Sequence, residues 1–399
     1  MSQDNAPVVL DIDDEQDDGR SEVGSSVASS TTSVRNSLRD YRLENGRTYH
    51  SYKEGKYAFP NDERELDRLD LQHQIWLLML EDRLGVAPPG KEGAQVGRVL
   101  DVGTGTGIWA LNFADEHPEA EVCGVDLSPT LPEYVPPNVK FEIDDIEEDW
   151  MWSRPFDYIH SRVMTASISN WETYLSQCYK NLVPGGWVEL QEFALFPTSD
   201  DGTLTEDHAL LKWAHLLQTA SDKLGRPFIS PPPLKDRLSE AGFVDVSLSL
   251  YKCPSNPWAK DLKYRELGVM QSENMLAGLE ALTMACLTRA LDWTPQEVNV
   301  LLIDVRNDVK NRNIHAYWPA YCIIGRKPEK EPTPAPPAPP SPETATPAPA
   351  ASPPSEPAAD QPKSPAKAPE ASASSPAADQ APTETPAEGT AKSPLPTSS

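Results

Sequence analysis

The sequence predicts an α/β fold in which parallel strands alternate with helices. Two observations predict it. An apolar run at 99–102 ends in a glycine-rich turn at 103–107, and a helical pattern starts at Ile108. Further short apolar or alternating runs recur along the chain, at 122–126, 139–143, 156–160, 187–190, 244–248 and 316–318. A helical pattern that ends near Leu182 separates two of these runs, as the crossover connection between parallel strands requires.

The glycine-rich turn is the most informative segment of the chain. Gly103, Gly105 and Gly107 follow Asp101, and glycine lets the backbone turn tightly and approach a ligand without a Cβ. A second acid, Asp126, ends the next strand at about the ~20-residue spacing at which a carboxylate holds a ribose. The segment therefore predicts a nucleoside-containing cofactor. A glycine-rich turn in an unrelated α/β protein is the alternative interpretation.

The spacing of the glycines distinguishes between cofactors. A dinucleotide loop reads G-x-G-x-x-G, and here Ile108 occupies the place of its third glycine. Asp101 directly before the turn would repel a pyrophosphate but suits a cationic ligand. S-adenosylmethionine carries an ammonium and a sulfonium and has no phosphate, so it is the cofactor we expect. No Gly-Lys-Ser/Thr follows, which excludes a Walker loop, and the spacing disfavours a nicotinamide oxidoreductase.

The pattern Asp-x-Gly-x-Gly-x-Gly with Asp126 resembles motifs I and II of the Rossmann-like S-adenosylmethionine methyltransferases. The turn at 184–186, Pro-Gly-Gly, before the strand at 187–190 is also similar. The resemblance implies a class I fold, with a seven-stranded, mostly parallel sheet, helices on both faces, an N-terminal helical lid and a helical insertion. Residues 261–311 read as mostly helical and are expected to cover the substrate side.

The resemblance also implies which residues form the site. Cofactor contacts are expected from the acids and glycines of the two motifs, Asp101, Gly103, Gly105, Gly107 and Asp126. After the third strand, Asp145 is expected to contact the adenine amino group and Ile146 to pack on the ring. Residues 144–149 are alternatively a solvated acidic loop.

The end of the fourth strand usually faces the substrate in this fold. His160 occupies it and is the candidate catalytic residue, while Arg162 would bind an acidic group of the substrate. Methyl transfer is an in-line displacement that depends mainly on orientation, and a base is needed only if the nucleophile arrives protonated. A packing role in the wall is the competing interpretation for His160.

Aromatic residues precede the first helical pattern, which runs from about 62 to 84. They include Tyr49, Tyr52 and Tyr57. In many methyltransferases an N-terminal segment closes over the cofactor, so Tyr49 is assigned to the site as a residue that stacks on adenine. The alternative is that these aromatics pack the segment onto the core.

Segments outside the cofactor motifs resemble one particular family of methyltransferases. Stretches similar to the fungal LaeA-like methyltransferases occur at 43–50, 55–57, 60–63, 69–73, 156–162 and 189–192. This resemblance implies a regulator of fungal secondary metabolism and development that acts in the nucleus or cytoplasm and associates with velvet-type regulatory proteins. The alternative is a non-catalytic scaffold of the same fold that recruits such partners.

Composition divides the 399 residues into three parts. Residues 1–40 hold an acidic run and a Ser/Thr-rich tract, and residues 329–399 are rich in Pro, Ala and Ser. Both parts bury too little apolar area to offset their chain entropy, so we expect them to be disordered. Residues 41–328 are expected to form the methyltransferase domain, with the cofactor-binding core at about 95–195.

Charge and cysteine usage exclude several classes of protein. The net charge of −26 argues against direct binding to nucleic acid. No stretch approaches the ~20 apolar residues of a membrane span, and the acidic N-terminus has no apolar signal segment. Five scattered cysteines without C-x-x-C predict a reducing compartment and no metal site. Cys123 and Cys322 lie in predicted strands and are expected to be buried thiols. The methyl acceptor is not indicated by the sequence.

Overall fold

The computed structural model describes residues 42–50, 52–53, 55–128, 132 and 134–329. The segments expected to be disordered, 1–40 and 329–399, lie outside the described residues, apart from Glu329. The described chain starts with an antiparallel hairpin of β1 (Arg42–Glu44) and β2 (Arg47–Tyr49).

Helix α1 (Glu63–Leu80) follows the hairpin. The Asp62 side chain caps it by accepting a hydrogen bond from the Glu65 N–H at 3.1 Å, because the first backbone donors of a helix lack partners within it. The helix ends earlier than the pattern predicts. Glu81 takes a left-handed conformation with φ of 58°, which terminates the helix four residues before Leu84.

A seven-stranded sheet forms the centre of the protein, as the sequence predicts. Its strands are β3 (Arg98–Val102), β4 (Glu121–Asp126), β5 (Val139–Ile143), β6 (Phe156–Arg162), β7 (Leu182–Phe193), β8 (Val244–Pro254) and β9 (Tyr317–Arg326). Their order is β5-β4-β3-β6-β7-β9-β8; β9 runs antiparallel to both β7 and β8, and the other neighbouring strands are parallel to one another. Strands β8 and β9 extend well beyond the predicted segments because they pair with each other along most of their length.

The strand order creates a crevice at the carboxyl ends of the central strands. The chain moves outward from β3 through β4 to β5 and then returns to β6 on the other side of β3. In open α/β sheets, ligands bind at the carboxyl ends of the strands where the order reverses. The predicted site motifs all lie at these carboxyl ends.

Helices cover both faces of the sheet, since successive strand residues point to opposite sides. Leu100 and Ile159 pack with side chains of α3 (Trp171–Asn181) and α5 (Leu234–Glu240). Their neighbours Val99 and Tyr158 pack instead with side chains of α2 (Ile108–Glu116). The remaining helices are α4 (Ala209–Lys223), α6 (Leu262–Ala290), α7 (Pro295–Lys310) and a short 3-10 turn at Pro88–Gly90.

The predicted helical insertion is present as α6 and α7, which form a separate apolar core with α4. Trp213, Leu279 and Leu302 are buried at its centre. None of the described helices is both long enough and apolar enough to span a bilayer. All five cysteines are buried free thiols, which confirms the prediction made for Cys123 and Cys322.

Candidate functional site

A cavity of about 270 Å³ lies at the carboxyl ends of β3, β4, β5 and β6. The residues that follow these strands line it, and so do residues from α1, α4 and α6. Six of the predicted site residues line this cavity: Asp101, Gly103, Gly105, Asp126, Asp145 and Ile146. His160 and Arg162 line it as well, whereas Gly107 and Tyr49 do not.

The glycines of the turn let its backbone lie close to neighbouring side chains, where a Cβ would not fit. Gly103 has a φ of 69°, and a Cβ placed on it would lie 2.5 Å from the Met164 sulfur. The Gly103 and Thr104 N–H groups donate to the Val125 carbonyl at 2.9 and 3.0 Å, which ties the turn to β4. Gly107 was predicted to contact the cofactor, but it is not among the residues that line the cavity. It precedes α2 with a φ of 79°, and a Cβ there would lie 2.6 Å from the Phe141 ring.

Asp101 is held between two donors at the end of β3. Its carboxylate accepts from the Thr104 hydroxyl at 2.6 Å and is bonded to His160 Nδ1 at 2.8 Å. The His160 contact follows from sheet register, because Asp101 and His160 are directly opposed on β3 and β6. Asp101 is 3% exposed, yet each of its oxygens has only one of these partners and retains capacity to accept another bond.

Asp126 ends β4 and fixes the other side of the glycine turn. It accepts from the Gly105 N–H and the Ser128 N–H, both at 2.9 Å. Burial raises the pKa of this carboxyl above its usual value, although the two backbone N–H groups oppose the shift. Two acids thus converge on one backbone turn, as the motif spacing predicts.

The loop after β5 is covered by the N-terminal segment. Asp145 is buried and forms an ion pair with Lys56, whose ammonium also lies 3.6 Å from a Glu147 oxygen. Lys53 pairs with Glu148 on the same loop. A solvated acidic loop therefore does not describe Asp145. These ion pairs hold Lys53 and Lys56 against the loop after β5.

Tyr49 requires a correction. Its ring is 1% exposed and packs under the Arg289 guanidinium, 4.8 Å from its centre, so it anchors the hairpin to α6. The Glu44 carboxylate accepts from the same guanidinium at 2.7 Å. The packing alternative therefore holds for Tyr49. Tyr57 lines the cavity in its place and packs edge-on against Phe59, with ring centres 5.1 Å apart.

The buried His73 and the partly buried Arg162 form a pair in the cavity wall. Arg162 Nη1 lies 2.9 Å from His73 Nδ1, and Arg162 Nε donates to Gln191 at 2.8 Å. Burial, aided by the Arg162 charge, lowers the pKa of His73 to about 3, and burial lowers the pKa of Arg162 to about 10. His73 is therefore neutral with Nδ1 as acceptor, so its Nε2–H donates and the nearby Asn112 amide must present its oxygen.

Sequence reasoning missed a polar cluster between α1 and α6. Arg68, Gln72, Gln271 and Asn274 are all buried and all line the cavity. A signal for it was present, because positions 68 and 72, and likewise 271 and 274, share one face of a helix. The partner helix could not be inferred, since 206 positions separate Arg68 from Asn274.

The residues of the crevice fit S-adenosylmethionine. Two carboxylates flank the glycine turn, the buried Asp101 and the partly exposed Asp126, which suits an ammonium and the hydroxyls of a ribose and opposes a pyrophosphate. Within the described ranges, no three His, Cys, Asp or Glu side chains are grouped to hold a metal ion. The sheet order and this crevice define a Rossmann-like methyltransferase whose cofactor is S-adenosylmethionine.

Comparisons with known proteins agree with this class. Residues 72–248 match the profile of a methyltransferase domain family. Methyltransferase pytC of Aspergillus terreus is 42% identical over 301 residues, covering 75% of this chain and 92% of that protein. Secondary metabolism regulator LAE1 of Cochliobolus heterostrophus is 37% identical over 292 residues, 72% of this chain and 95% of that protein. Protein-methionine methyltransferase laeA of Emericella nidulans is 34% identical over 304 residues, which cover 75% of this chain and 79% of that protein. The chain belongs to the LaeA-like methyltransferase family.

Proposed function

We propose that the protein transfers a methyl group from S-adenosylmethionine and thereby regulates secondary metabolism. The observation that carries the proposal is the pair of acids, Asp101 and Asp126, on either side of the glycine turn. A buried acid such as Asp101 is costly without partners for its remaining acceptor sites, so its retention favours a binding site over an inert scaffold. The regulatory role is supported by the name of the relative LAE1.

Each site residue has a proposed task. The Asp101 carboxylate receives the ammonium of the cofactor, and Asp126 receives the ribose hydroxyls. Asp145 accepts from the adenine amino group, for which Lys56 must give up part of its ion pair, and Ile146 packs on the ring. Gly103 and Gly105 supply the close backbone approach. When bound, S-adenosylmethionine supplies a methyl group activated by its sulfonium.

His160 is the proposed proton acceptor for a substrate that arrives protonated. Its Nδ1–H donates to Asp101, so the lone pair resides on Nε2, which has no hydrogen-bond partner among the described residues. The ring is stacked on Trp109 at 3.8 Å between centres, which fixes its orientation. Removal of the imidazole in His160→Asn should lower the rate of methyl transfer at saturating S-adenosylmethionine by roughly 100-fold or more, the usual contribution of a general base. An unchanged rate would assign His160 to the wall alone.

The biological setting is proposed from the family. We propose the nucleus or cytoplasm as the compartment, velvet-type regulatory proteins as partners, a role that extends to development, and no direct contact with nucleic acid. A cellular test separates catalysis from scaffolding. Asp101→Asn should weaken cofactor binding and reduce the regulatory phenotype with it. A normal phenotype despite weakened cofactor binding would instead support the scaffold.

Calorimetric titration of the full chain with S-adenosylhomocysteine tests the proposal. Asp101→Asn and Asp126→Asn each remove one charged acceptor, and loss of a charged hydrogen bond of about 1.5–3 kcal/mol corresponds to roughly 10- to 100-fold weaker binding. Asp236→Asn, an exposed position on α5, is the matched control and should bind as wild type. Absence of binding heat from folded wild-type protein at high ligand concentration would refute the proposal.

A further inference from the structure

The cavity continues beyond the cofactor motifs to an apolar wall. The residues that line this part are Trp213 and Leu217 of α4, Met275 of α6, Trp318 of β9, and Phe228 from the segment between α4 and α5. The indole N–H of Trp213 already donates to Thr283 at 2.8 Å, so no donor of this ring is left for a ligand. Arg226 also lines the cavity, but its guanidinium is paired with Glu147. This wall suits a largely apolar molecule.

Hydrogen bonds in the polar cluster between α1 and α6 run in a fixed direction. Glu65 Oε1 accepts from Arg68 Nη2 at 2.7 Å and from Arg68 Nε at 3.0 Å. Arg68 Nη1 then donates to Asn274 Oδ1 at 2.8 Å and to Gln72 Oε1 at 3.2 Å. Asn274 Nδ2 donates in turn to Gln271 Oε1 at 3.1 Å.

This direction fixes the orientation of every amide. A guanidinium only donates, so Gln72 and Asn274 must turn their oxygens toward Arg68, and Gln271 must then turn its oxygen toward Asn274. The Nε2 amide groups of Gln72 and Gln271 remain, with no hydrogen-bond partner among the described residues. Their side chains belong to residues only 8% and 3% exposed, and both residues line the cavity.

Gln271 belongs to the insertion side of the cavity. Met275 lies one helical turn further along α6, so Gln271 and the apolar wall share a helix face. The cofactor motifs lie instead at the ends of β3 and β4. The amide pair therefore adjoins the apolar wall, and an unpartnered N–H donor that faces the cavity from a largely buried side chain favours a ligand that supplies an acceptor.

We propose that the methyl acceptor is a small, largely apolar molecule whose oxygen accepts hydrogen bonds from the Gln72 and Gln271 amides. This substrate class rests on the proposed methyltransferase function. A carbonyl, carboxylate or phenol oxygen satisfies the amide pair, and the rest of the molecule packs on the aromatic wall. The enclosed position of both amides favours a small molecule over a segment of protein chain.

A matched pair of probes tests this assignment on the full chain saturated with S-adenosylhomocysteine. 2-Acetylnaphthalene has a carbonyl oxygen, and 2-isopropenylnaphthalene has the same shape without an acceptor. Wild-type protein should bind the ketone roughly 30- to 100-fold more tightly in a calorimetric titration, because each of the two net hydrogen bonds contributes about 1–1.5 kcal/mol. Gln271→Leu should reduce this preference to roughly tenfold, since only the Gln72 amide remains. Gln271→Glu keeps the size and the acceptor for Asn274 but lacks the N–H groups, so it should reduce the preference by a similar factor in a folded protein.

Gln218→Leu is the matched control, because Gln218 bonds to Asp222 on α4 and is not among the cavity-lining residues. It should retain the wild-type preference. Equal binding of both probes, or binding of neither, by wild-type protein would overturn the substrate class. A loss of S-adenosylhomocysteine affinity in Gln271→Glu would also overturn it, since the amides would then hold the cofactor. Failure of wild-type protein to bind S-adenosylhomocysteine would count against the proposed function itself.

Discussion

Replacement of Glu192 by Gln should change how stability depends on pH. Glu192 lies on β7, is fully buried, and accepts from the Met164 and Thr165 N–H groups at 3.0 and 3.3 Å. Burial raises the pKa of its carboxyl from 4.5 to about 8. The native state therefore keeps a proton up to about pH 8 that the unfolded chain releases near pH 4.5.

The free energy of unfolding of the wild type should accordingly fall as pH rises from about 4.5 to 8. A shift of about 3.5 units at 1.36 kcal/mol each corresponds to a loss of at most about 5 kcal/mol. Glu192→Gln does not ionise and keeps an oxygen for one of the N–H groups. The variant should gain stability relative to wild type across this pH window.

Urea denaturation monitored by tryptophan fluorescence at pH 5, 6, 7 and 8 measures the effect. The difference in free energy of unfolding between Glu192→Gln and wild type should grow steadily with pH. Glu240→Gln, an exposed position at the end of α5, serves as the control and should give a nearly constant difference. A constant difference for Glu192→Gln would show that this carboxyl is not held protonated, and would refute the reasoning.

Four further substitutions test other parts of the site. Tyr49→Phe should leave the affinity for S-adenosylhomocysteine unchanged because the ring lies outside the cavity, whereas Tyr57→Ala should weaken it. Calorimetric titration measures both. Weaker binding by Tyr49→Phe together with unchanged binding by Tyr57→Ala would place Tyr49 in the site. Gly103→Ala places a Cβ 2.5 Å from the Met164 sulfur. It also puts a non-glycine residue in a left-handed conformation, which costs about 1–2 kcal/mol, so the midpoint of thermal unfolding should fall by several degrees. An unchanged midpoint would contradict the contact. Lys56→Ala removes the ion pair on the loop after β5, so stopped-flow association of S-adenosylhomocysteine should become faster; an unchanged rate argues against a lid.

The elements that a local pattern specifies were predictable from the sequence. The strand before the glycine turn, the turn itself and the helix after it follow from apolar runs and glycine positions within about twenty residues. The two acids at the strand ends were predictable for the same reason. Parallel strand order then brings them to one crevice, and the structure confirms that Asp101 and Asp126 both line it.

Contacts that depend on register or distant packing were not predictable. The bond between His160 and Asp101 exists because β6 pairs with β3 in a register that opposes these two residues. The polar cluster exists because α6 packs on α1. Tyr49 and Tyr57 are equally aromatic in the sequence, and only the hairpin and its contact with Arg289 determine which one is buried away from the cavity.

A crystal structure of the full chain with S-adenosylhomocysteine tests the central claim most directly. We expect the ammonium of the ligand within hydrogen-bond distance of the Asp101 carboxylate and the ribose hydroxyls at Asp126. A ligand that lies elsewhere, or a crevice that instead accepts a dinucleotide with its diphosphate against the glycine turn, would contradict the assignment.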